Sequence, residues 1–109
     1  MALAASSEDL LNRLAGIDRA IHSPARLMVL TYLYVAHKGD VVYLMRQTGL
    51  TWGNLSSHLR VLEEAGYLAV EKEFLGRKPH TMLSLTDQGR AAFRAYRSHL
   101  KGVFDDLPE

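Results

Sequence analysis

Apolar residues recur at helical spacing along the first third of the chain. A first stripe predicts a helix over about residues 7–21. Ser23 and Pro24 form a typical helix start, and the residues after them predict a second helix from Pro24 to about His37. Because this second helix is apolar on several sides, we expect it at the centre of the core. The first stripe consists of Leu10, Leu14, Ile17 and Ile21.

The middle of the chain predicts two short elements and a longer helix. Residues 41–43 form an apolar run typical of a short strand. A short helix follows and ends at Gly49, a residue that adopts the left-handed conformation readily. Thr51 then caps a helix from Trp52 to about Ala65. The buried stripe of that helix consists of Leu55, Leu59 and Leu62.

After Gly66 the spacing changes from helical to alternating. Residues 68–74 and 81–85 predict two strands, and residues 75–79 predict the tip of the hairpin between them. Thr86 caps a last helix over about residues 87–105. The apolar stripe of this helix consists of Phe93, Tyr96, Leu100, Val103, Phe104 and Leu107.

The predicted order of elements is α-α-β-α-α-β-β-α, which makes the fold mainly helical with a small β-hairpin (α+β). Residues 1–109 fit a single domain at this chain length. The tight turn at residues 49–51 joins two helices at helix-turn-helix spacing, and the hairpin follows in the position of a wing. The sequence therefore predicts a winged helix-turn-helix.

The helix after Thr51 suits double-stranded DNA, because its buried leucines fix it while its other side carries small polar residues. Small side chains allow close approach to base edges, and exposed N–H groups at a helix start favour phosphate. The hairpin tip adds cations suited to the DNA backbone or minor groove. The candidate DNA-binding residues are Thr51, Trp52, Gly53, Asn54, Ser56, Ser57 and Arg60 on the helix, and Arg77, Lys78 and His80 on the hairpin.

Two interpretations of Trp52 are open. Its indole suits stacking on a base or contact with a thymine methyl group. Alternatively, it braces the helix against the scaffold, which we favour slightly because it points towards the side of Leu55.

Composition excludes several classes of protein and weakens one simple argument for DNA. The 109 residues include no cysteine, which excludes disulfides, thiolate catalysis and thiolate zinc sites. No secretory signal or membrane-spanning run is present, so we expect a cytoplasmic protein. The net charge is only +1, so the case for DNA depends on where the charges lie.

We expect neither an enzyme nor a bound metal or cofactor. The sequence offers no glycine-rich phosphate loop, and the side chains of Ser56, Ser57 and His58 diverge on a helix, so they cannot form a catalytic triad. No two histidines stand three or four residues apart, so no local chelating pair exists. The five histidines are His22, His37, His58, His80 and His99.

The stretch from Ile17 to about Tyr96 resembles the winged-helix regulators of the ArsR/MarR-like group, especially small bacterial and archaeal regulators built from a winged helix DNA-binding domain. Five segments carry this resemblance in the same order as in the family. They are residues 21–27 (IHSPARL), 50–59 (LTWGNLSSHL), 62–68 (LEEAGYL), 76–79 (GRKP) and 85–90 (LTDQGR).

The resemblance implies a homodimer that binds a palindromic operator and controls transcription. The first and last helices carry more apolar surface than so small a chain covers easily, which also favours a dimer interface there. ArsR relatives often sense metals through a cysteine pair or through Asp and His on the last helix. This chain lacks both patterns. The expected interface residues are Leu10, Leu14, Ile17, Phe93, Tyr96, Leu100 and Phe104.

Three further alternatives are open. A winged helix can also serve as a protein interaction module without direct DNA binding. An unknown small-molecule effector is possible, although we interpret the residues suited to such a pocket as ordinary core: Met28, Tyr32, Tyr34, Tyr43 and Met45. The basic stripe on the last helix contacts DNA or an acidic partner, or is a solvated face, which we prefer: Arg90, Arg94, Arg97 and Lys101.

Overall fold

The structure is a computed structural model that describes residues 6–109, and it has the predicted order of elements. Within these residues, five helices and three strands follow one another in the order α-α-β-α-α-β-β-α, so the predicted α+β fold class is confirmed. The elements are α1 (Ser7–Ala15), α2 (Pro24–Ala36), β1 (Lys38–Asp40), α3 (Val41–Thr48), α4 (Trp52–Glu64), β2 (Leu68–Leu75), β3 (Lys78–Leu85) and α5 (Asp87–Asp105).

Hydroxyl side chains begin four of the five helices in residues 6–109. Each accepts a hydrogen bond from a backbone N–H of the first turn, which satisfies a group that has no partner inside the helix. The cap oxygens lie 2.9–3.4 Å from those nitrogens. The capping residues are Ser6, Ser23, Thr51 and Thr86.

The first helix is shorter than predicted. It ends at Ala15, and Ile17 and Ile21 lie in the connector to α2 instead. Asp18 explains the difference, because its carboxylate accepts from Ala20 N at 3.0 Å and its carbonyl accepts from His22 N at 2.8 Å. These local bonds compete with the helix and turn the chain after Gly16. Ile21 is nevertheless fully buried.

The prediction of a strand at residues 41–43 is wrong. These residues form the first turn of α3, and the strand lies just before them at Lys38–Asp40. The Asp40 carboxylate accepts from Val42 N at 2.7 Å and so caps the helix. The helix cap therefore outweighs the strand preference of the valines.

Three antiparallel strands form the sheet, in the order β1-β3-β2. Leu75 pairs with Lys78, so the hairpin turn consists of residues 76 and 77 alone, with Gly76 at a φ of 66°. The predicted tip of residues 75–79 was too wide. Arg77 lies in the turn itself, and Lys78 is the first residue of β3.

The core surrounds α2, as its apolar surface predicts. Leu30 and Leu33 of α2 are fully buried with Leu55 and Leu62 of α4 and Leu83 of β3. The start of α5 lies very close to the chain after α4. A Cβ at Gly89 would lie 2.1 Å from the carbonyl oxygen of Tyr67. Only glycine fits there.

The second half of α5 runs beyond this core and packs against α1. His99 Nε2 lies 2.6 Å from the carbonyl oxygen of Arg13, and the Arg13 guanidinium donates to Asp106 at 2.8 Å. We call α1 and residues 97–105 of α5 the helical arm, and the rest of the fold the winged-helix half. Among residues 6–109, no helix has the length and apolar character needed to cross a membrane.

Candidate nucleic-acid interface

The helix-turn-helix is set by three consecutive residues. Gly49 ends α3 at a φ of 71°, as predicted, and Thr51 caps α4. Leu50 between them packs against the core, which holds the turn down. The Thr48 hydroxyl donates to Leu44 O at 2.7 Å and accepts from Leu50 N at 3.3 Å. The turn is therefore fixed by both packing and hydrogen bonds.

Helix α4 divides into a buried and an exposed side as predicted. Leu55, Leu59 and Leu62 are buried. The Ser56 and Ser57 hydroxyls each donate to Gly53 O at 3.0 Å. Six of the seven candidate DNA-binding residues on this helix are exposed, and Ser56 is half-buried. The exposed ones are Thr51, Trp52, Gly53, Asn54, Ser57 and Arg60.

The first turn of α4 is also sterically open. A Cβ added at Gly53 would meet no atom within 4 Å. The helix start therefore presents backbone N–H groups and small side chains to the surroundings, which is what close approach to a phosphate or a base edge requires.

Trp52 is 52% exposed, so the packing against the scaffold that we favoured is only partial. It lies in a shallow depression between α4 and the wing, with Arg60 on the helix side and Val70 and Thr81 on the strand side. A large indole face is thus available at the junction of the two elements predicted to contact DNA.

The wing carries its cations at the turn. Arg77 and Lys78 are exposed, as the hairpin prediction requires. The neighbouring acidic charge is partly compensated, because Lys38 of β1 pairs with Glu73 of β2 and the pKa of Lys38 is raised by this hydrogen bond. The exposed tip of the wing is therefore more basic than its sequence alone indicates.

His80 is placed differently from the other wing candidates. It is half-buried, and its Nδ1 lies 2.5 Å from the carboxylate of Asp40. The hydrogen bond from His80 lowers the pKa of Asp40, and the backbone N–H groups of Val42 and Tyr43 add to this effect against the opposing effect of burial. His80 thus joins β3 to the start of α3, and any contact with DNA is left to its other ring nitrogen.

A hydrogen-bonded brace that no sequence pattern predicted joins α2 to α4. Arg26 donates through Nε to Ala20 O at 2.6 Å, through Nη2 to Arg19 O at 3.2 Å, and through Nη1 to His58 Nδ1 at 2.9 Å. A guanidinium has no acceptor atom, so His58 accepts this bond. Arg26 and His58 are 32 positions apart, and no local pattern links them.

The connector between α1 and α2 is fixed by two more side-chain bonds. Tyr67 donates to Asp18 at 2.6 Å, and this bond, with burial, raises the pKa of Tyr67 to about 12. His22 Nδ1 lies 2.9 Å from the Tyr96 hydroxyl. The connector therefore links the helical arm firmly to the end of α4 and to α5.

The residues expected at a dimer interface fall into two groups. Leu14 is 39% exposed and Phe104 is 59% exposed, so both are available to a partner. Leu10 and Tyr96 are buried within this chain, and Ile17, Phe93 and Leu100 are half-buried against it. Two exposed leucines of the same region were not among the expected residues: Leu11 and Leu107.

A groove of about 420 Å³ separates α2 from α3. Met28 and Tyr32, two of the residues weighed for an effector pocket, line it with Leu44, whereas Met45 packs against the core. No group of three or more His, Asp and Glu side chains in residues 6–109 is arranged to hold a metal ion.

Comparisons with known proteins agree on the type of fold. The family model described as winged helix DNA-binding domain matches residues 25–104. A transcriptional regulator homologue from Pyrococcus horikoshii OT3 is 31% identical, with a TM-score of 0.82 over 90% of this chain and 99% of that one. A transcriptional regulator of the MarR family from Enterococcus faecalis V583 is 25% identical, with a TM-score of 0.65 over 95% of this chain and 93% of that one.

A third solved structure contains nucleic acid. The transcriptional repressor CouR bound to a 23-mer DNA duplex is 25% identical to this chain, with a TM-score of 0.70 over 91% of this chain and 67% of that one. Together these matches confirm the resemblance to winged-helix regulators that the sequence motifs indicated.

Proposed function

The chain belongs to the winged helix DNA-binding domain family, and from this membership we propose that it is a sequence-specific transcriptional regulator that binds a palindromic operator as a homodimer. The observation that carries the proposal is the exposed first turn of α4. There Gly53 and Asn54 lie at an open helix start directly above the buried Leu55. A helix held on one side and open on the other fits the major groove.

The exposed polar residues of α4 are the ones placed to contact bases. The Asn54 side chain can form hydrogen bonds with adenine, and Arg60 can form them with guanine or with a phosphate. We assign sequence reading to Asn54, Ser57 and Arg60, all of which are exposed. Trp52 lies beside them with half of its surface free, a position that suits contact with a base or a thymine methyl group.

Arg77 and Lys78 supply contacts that do not depend on sequence. Both are at the wing turn and exposed, and neither has a carboxylate within 4.0 Å among residues 6–109. Cations in such a position bind phosphates and fix the protein on the duplex without reading bases.

The homodimer is supported by apolar surface that the chain itself leaves open. Leu11, Leu14 and Phe104 are exposed on the helical arm, and Leu107 is exposed just after it. A second copy that covers them brings a second recognition helix to the same side of the DNA. In two-fold symmetric dimers of this kind the recognition helices lie about 34 Å apart, one turn of DNA.

Fluorescence-anisotropy titration against a random duplex across a salt series tests the role of the wing. We expect affinity to fall steeply with salt, and R77A/K78A to flatten that dependence by about 1 unit of slope per lost phosphate contact. R19A/K101A removes the same charge from the connector and α5 and serves as the matched control. If R77A/K78A leaves both affinity and slope unchanged, the wing does not contact DNA.

Gly53 and Arg60 test the role of α4. G53A fits the free protein without a clash, so a loss of DNA affinity in this variant reports close approach of the helix start to DNA.

R60A should weaken binding to the operator by about 1–3 kcal/mol, and binding to random DNA much less, if Arg60 contacts a base. An equal loss on both duplexes assigns Arg60 to a phosphate instead. Absence of any binding at low salt contradicts the proposal and favours a protein interaction module.

A further inference from the structure

Two large apolar side chains lie at the tip of the wing and are mostly exposed. Phe74 is 72% exposed and Leu75 is 59% exposed. The residues that follow add Arg77 and Lys78, and positions 74–80 contain no acidic residue. Exposed apolar surface beside cations favours a partner that offers both an apolar contact and negative charge.

The two apolar residues lie on opposite faces of the hairpin. Phe74 pairs with Pro79, and this pair is on the same face as Val70, because side chains alternate along a strand. That face meets α4 nearer the base of the wing, where Val70 lines the depression between the two elements. Leu75 and its partner Lys78 are on the other face. The Phe74 side chain therefore projects on the side of the wing that faces α4, and the Leu75 side chain does not.

Both strands of the wing are tied to β1 next to the pair that contains Phe74. Glu73 and His80 are partners across the hairpin. Glu73 forms an ion pair with Lys38, and His80 Nδ1 lies 2.5 Å from the carboxylate of Asp40. Because Lys38 and Asp40 are the first and last residues of β1, the stem of the wing is held from both strands. Phe74 thus stands on a fixed stem, which lowers the conformational entropy that binding would cost.

The wing is long enough to bring Phe74 to the groove beside the one proposed for α4. Phe74 lies four positions after Val70 on β2, which is roughly 13 Å at the spacing of a strand. The major groove of B-DNA is roughly 12 Å wide. A side chain that far beyond the junction with α4 therefore lies past the phosphate strand, at the adjacent minor groove.

Building on the DNA binding proposed above, we propose that Phe74 and Pro79 form an apolar wedge that enters the minor groove, partly unstacks one base step and bends the duplex. Phenylalanine and proline act as such wedges in minor-groove proteins, where they kink DNA by roughly 20–90° towards the major groove. Arg77 and Lys78 bind the phosphates on either side of the wedge.

The wedge adds a second kind of sequence preference to that of α4. A pyrimidine–purine step such as TA kinks easily, whereas an A-tract is stiff, so the energy needed to unstack the step depends on its sequence. The wing therefore selects a flexible step beside each half-site, while α4 selects the half-site by hydrogen bonds to bases.

An anionic membrane is the other partner with this chemistry, because aromatic and basic side chains also bind lipid surfaces. Two observations favour DNA. The face that carries Phe74 continues into the depression lined by Trp52 and Arg60, within the surface proposed for DNA. Phe74 and Leu75 lie on opposite faces, so they do not form one apolar surface that a membrane could cover.

Bending of two short duplexes tests the wedge without knowledge of the operator. Both have about 20 base pairs, roughly two turns of DNA; one alternates A and T and so contains many TA steps, and the other pairs a run of A with a run of T and contains none. Energy transfer between dyes at the two ends measures the bend. The wild type should bring the ends of the alternating duplex closer together and bind it about tenfold more tightly than the stiff duplex.

Replacement of Phe74 should remove both effects. F74A should bind the two duplexes alike and leave them straight, whereas F74L keeps an apolar side chain and should retain part of the bend. L75A is the matched control, because it truncates a neighbouring exposed residue on the other face of the hairpin. It should bend the alternating duplex as the wild type does. Circular dichroism checks that each variant is folded.

The other outcomes separate the wedge from the proposed function. Wild-type protein that binds without bending, F74A that bends like the wild type, or equal losses in F74A and L75A overturn the wedge but leave DNA binding in place. Sedimentation with phosphatidylglycerol vesicles that depends on Phe74, in a protein that does not bend DNA, overturns it in favour of a membrane. Absence of binding to either duplex at low salt overturns the wedge and the proposed function together.

Discussion

The winged-helix half and the helical arm both carry many large apolar side chains, but the two regions differ in how these side chains are buried. In the winged-helix half, Leu30, Leu55 and Leu83 are fully buried, and close contacts such as that of Gly89 with Tyr67 leave no space. In the arm, Leu11 is 66% exposed and Phe104 59% exposed. The first region closes a core within one chain, although it also exposes apolar side chains such as Val35 and Phe74. The second region carries its exposed apolar residues on two helices that pack together, an arrangement typical of a protein interface.

Charge is distributed differently from apolar surface. In the winged-helix half, Asp40 pairs with His80 and Glu73 pairs with Lys38, which join neighbouring elements. On α5, Arg90, Arg94 and Arg97 have no carboxylate oxygen within 4.0 Å among the described residues. The difference between the two regions therefore lies in their apolar surface, which the proposed homodimer covers on the arm.

The largest difference between the two regions should appear at two glycines of the same helix. G89A places a Cβ 2.1 Å from a backbone oxygen, so we expect unfolding in urea to show a loss of about 3 kcal/mol. G102A meets only the tip of Arg13 at 4.0 Å, and helix propensity should then stabilise the chain slightly, by about 0.5–1 kcal/mol. Equal losses at both positions would contradict the contrast in packing.

The next largest difference should appear in dimerisation when an exposed phenylalanine of each region is replaced by alanine. F104A removes apolar surface from the proposed interface, so we expect dimerisation to weaken by about 2 kcal/mol, roughly 30-fold. F74A alters a residue of the wing that is 72% exposed and should leave dimerisation unchanged. Size-exclusion chromatography with light scattering over a dilution series measures both. A dimer insensitive to F104A would place the interface elsewhere.

Loss of the brace between α2 and α4 should have a smaller effect, on both the free energy of unfolding and the affinity for DNA. R26A removes hydrogen bonds to Ala20 O and His58, so we expect a loss of about 1–2 kcal/mol in the free energy of unfolding. DNA affinity should fall as well, because α4 is less firmly held. R19A, an exposed neighbour, should change either quantity by less than about 0.5 kcal/mol. Wild-type DNA affinity in R26A would show that the brace is structural only.

The smallest expected effect concerns acid pH. The hydrogen bond from His80 holds the folded pKa of Asp40 below its ordinary value. The Asp40 carboxylate therefore stabilises the fold at pH values above that ordinary pKa and loses this contribution as pH falls through the lowered pKa. D40N keeps a capping side chain but cannot titrate. Its free energy of unfolding should therefore decline less than that of the wild type between about pH 5 and pH 2. Parallel declines would show that the bond with His80 contributes nothing.

Local signals in the sequence predicted most of the winged-helix half. Caps such as Ser23 and Thr51, and the terminator Gly49, act within a few residues, and all three function as predicted. The errors lie where a side chain overrides an apolar pattern. Asp18 ends the first helix early, and Asp40 starts a helix where the valines predicted a strand.

Contacts between distant residues could not be predicted. Arg26 and His58, or Asp18 and Tyr67, meet only after the chain folds, and neither pair has a local signature. On α5 the apolar stripe was clear, but periodicity does not say which member faces the same chain. Tyr96 turned inward, where its hydroxyl lies 2.9 Å from His22 Nδ1, whereas Phe104 stayed exposed.

Selection of bound duplexes from a random library, followed by sequencing, tests the central claim most directly. The account predicts two inverted half-sites with centres about one DNA turn, roughly 10 base pairs, apart, bound by two chains per duplex. G53A should lose this enrichment, whereas V35A, at an exposed position of α2, should keep it. A single asymmetric motif bound by one chain, or no enrichment at all, would contradict the claim that two copies present α4 to a palindromic operator.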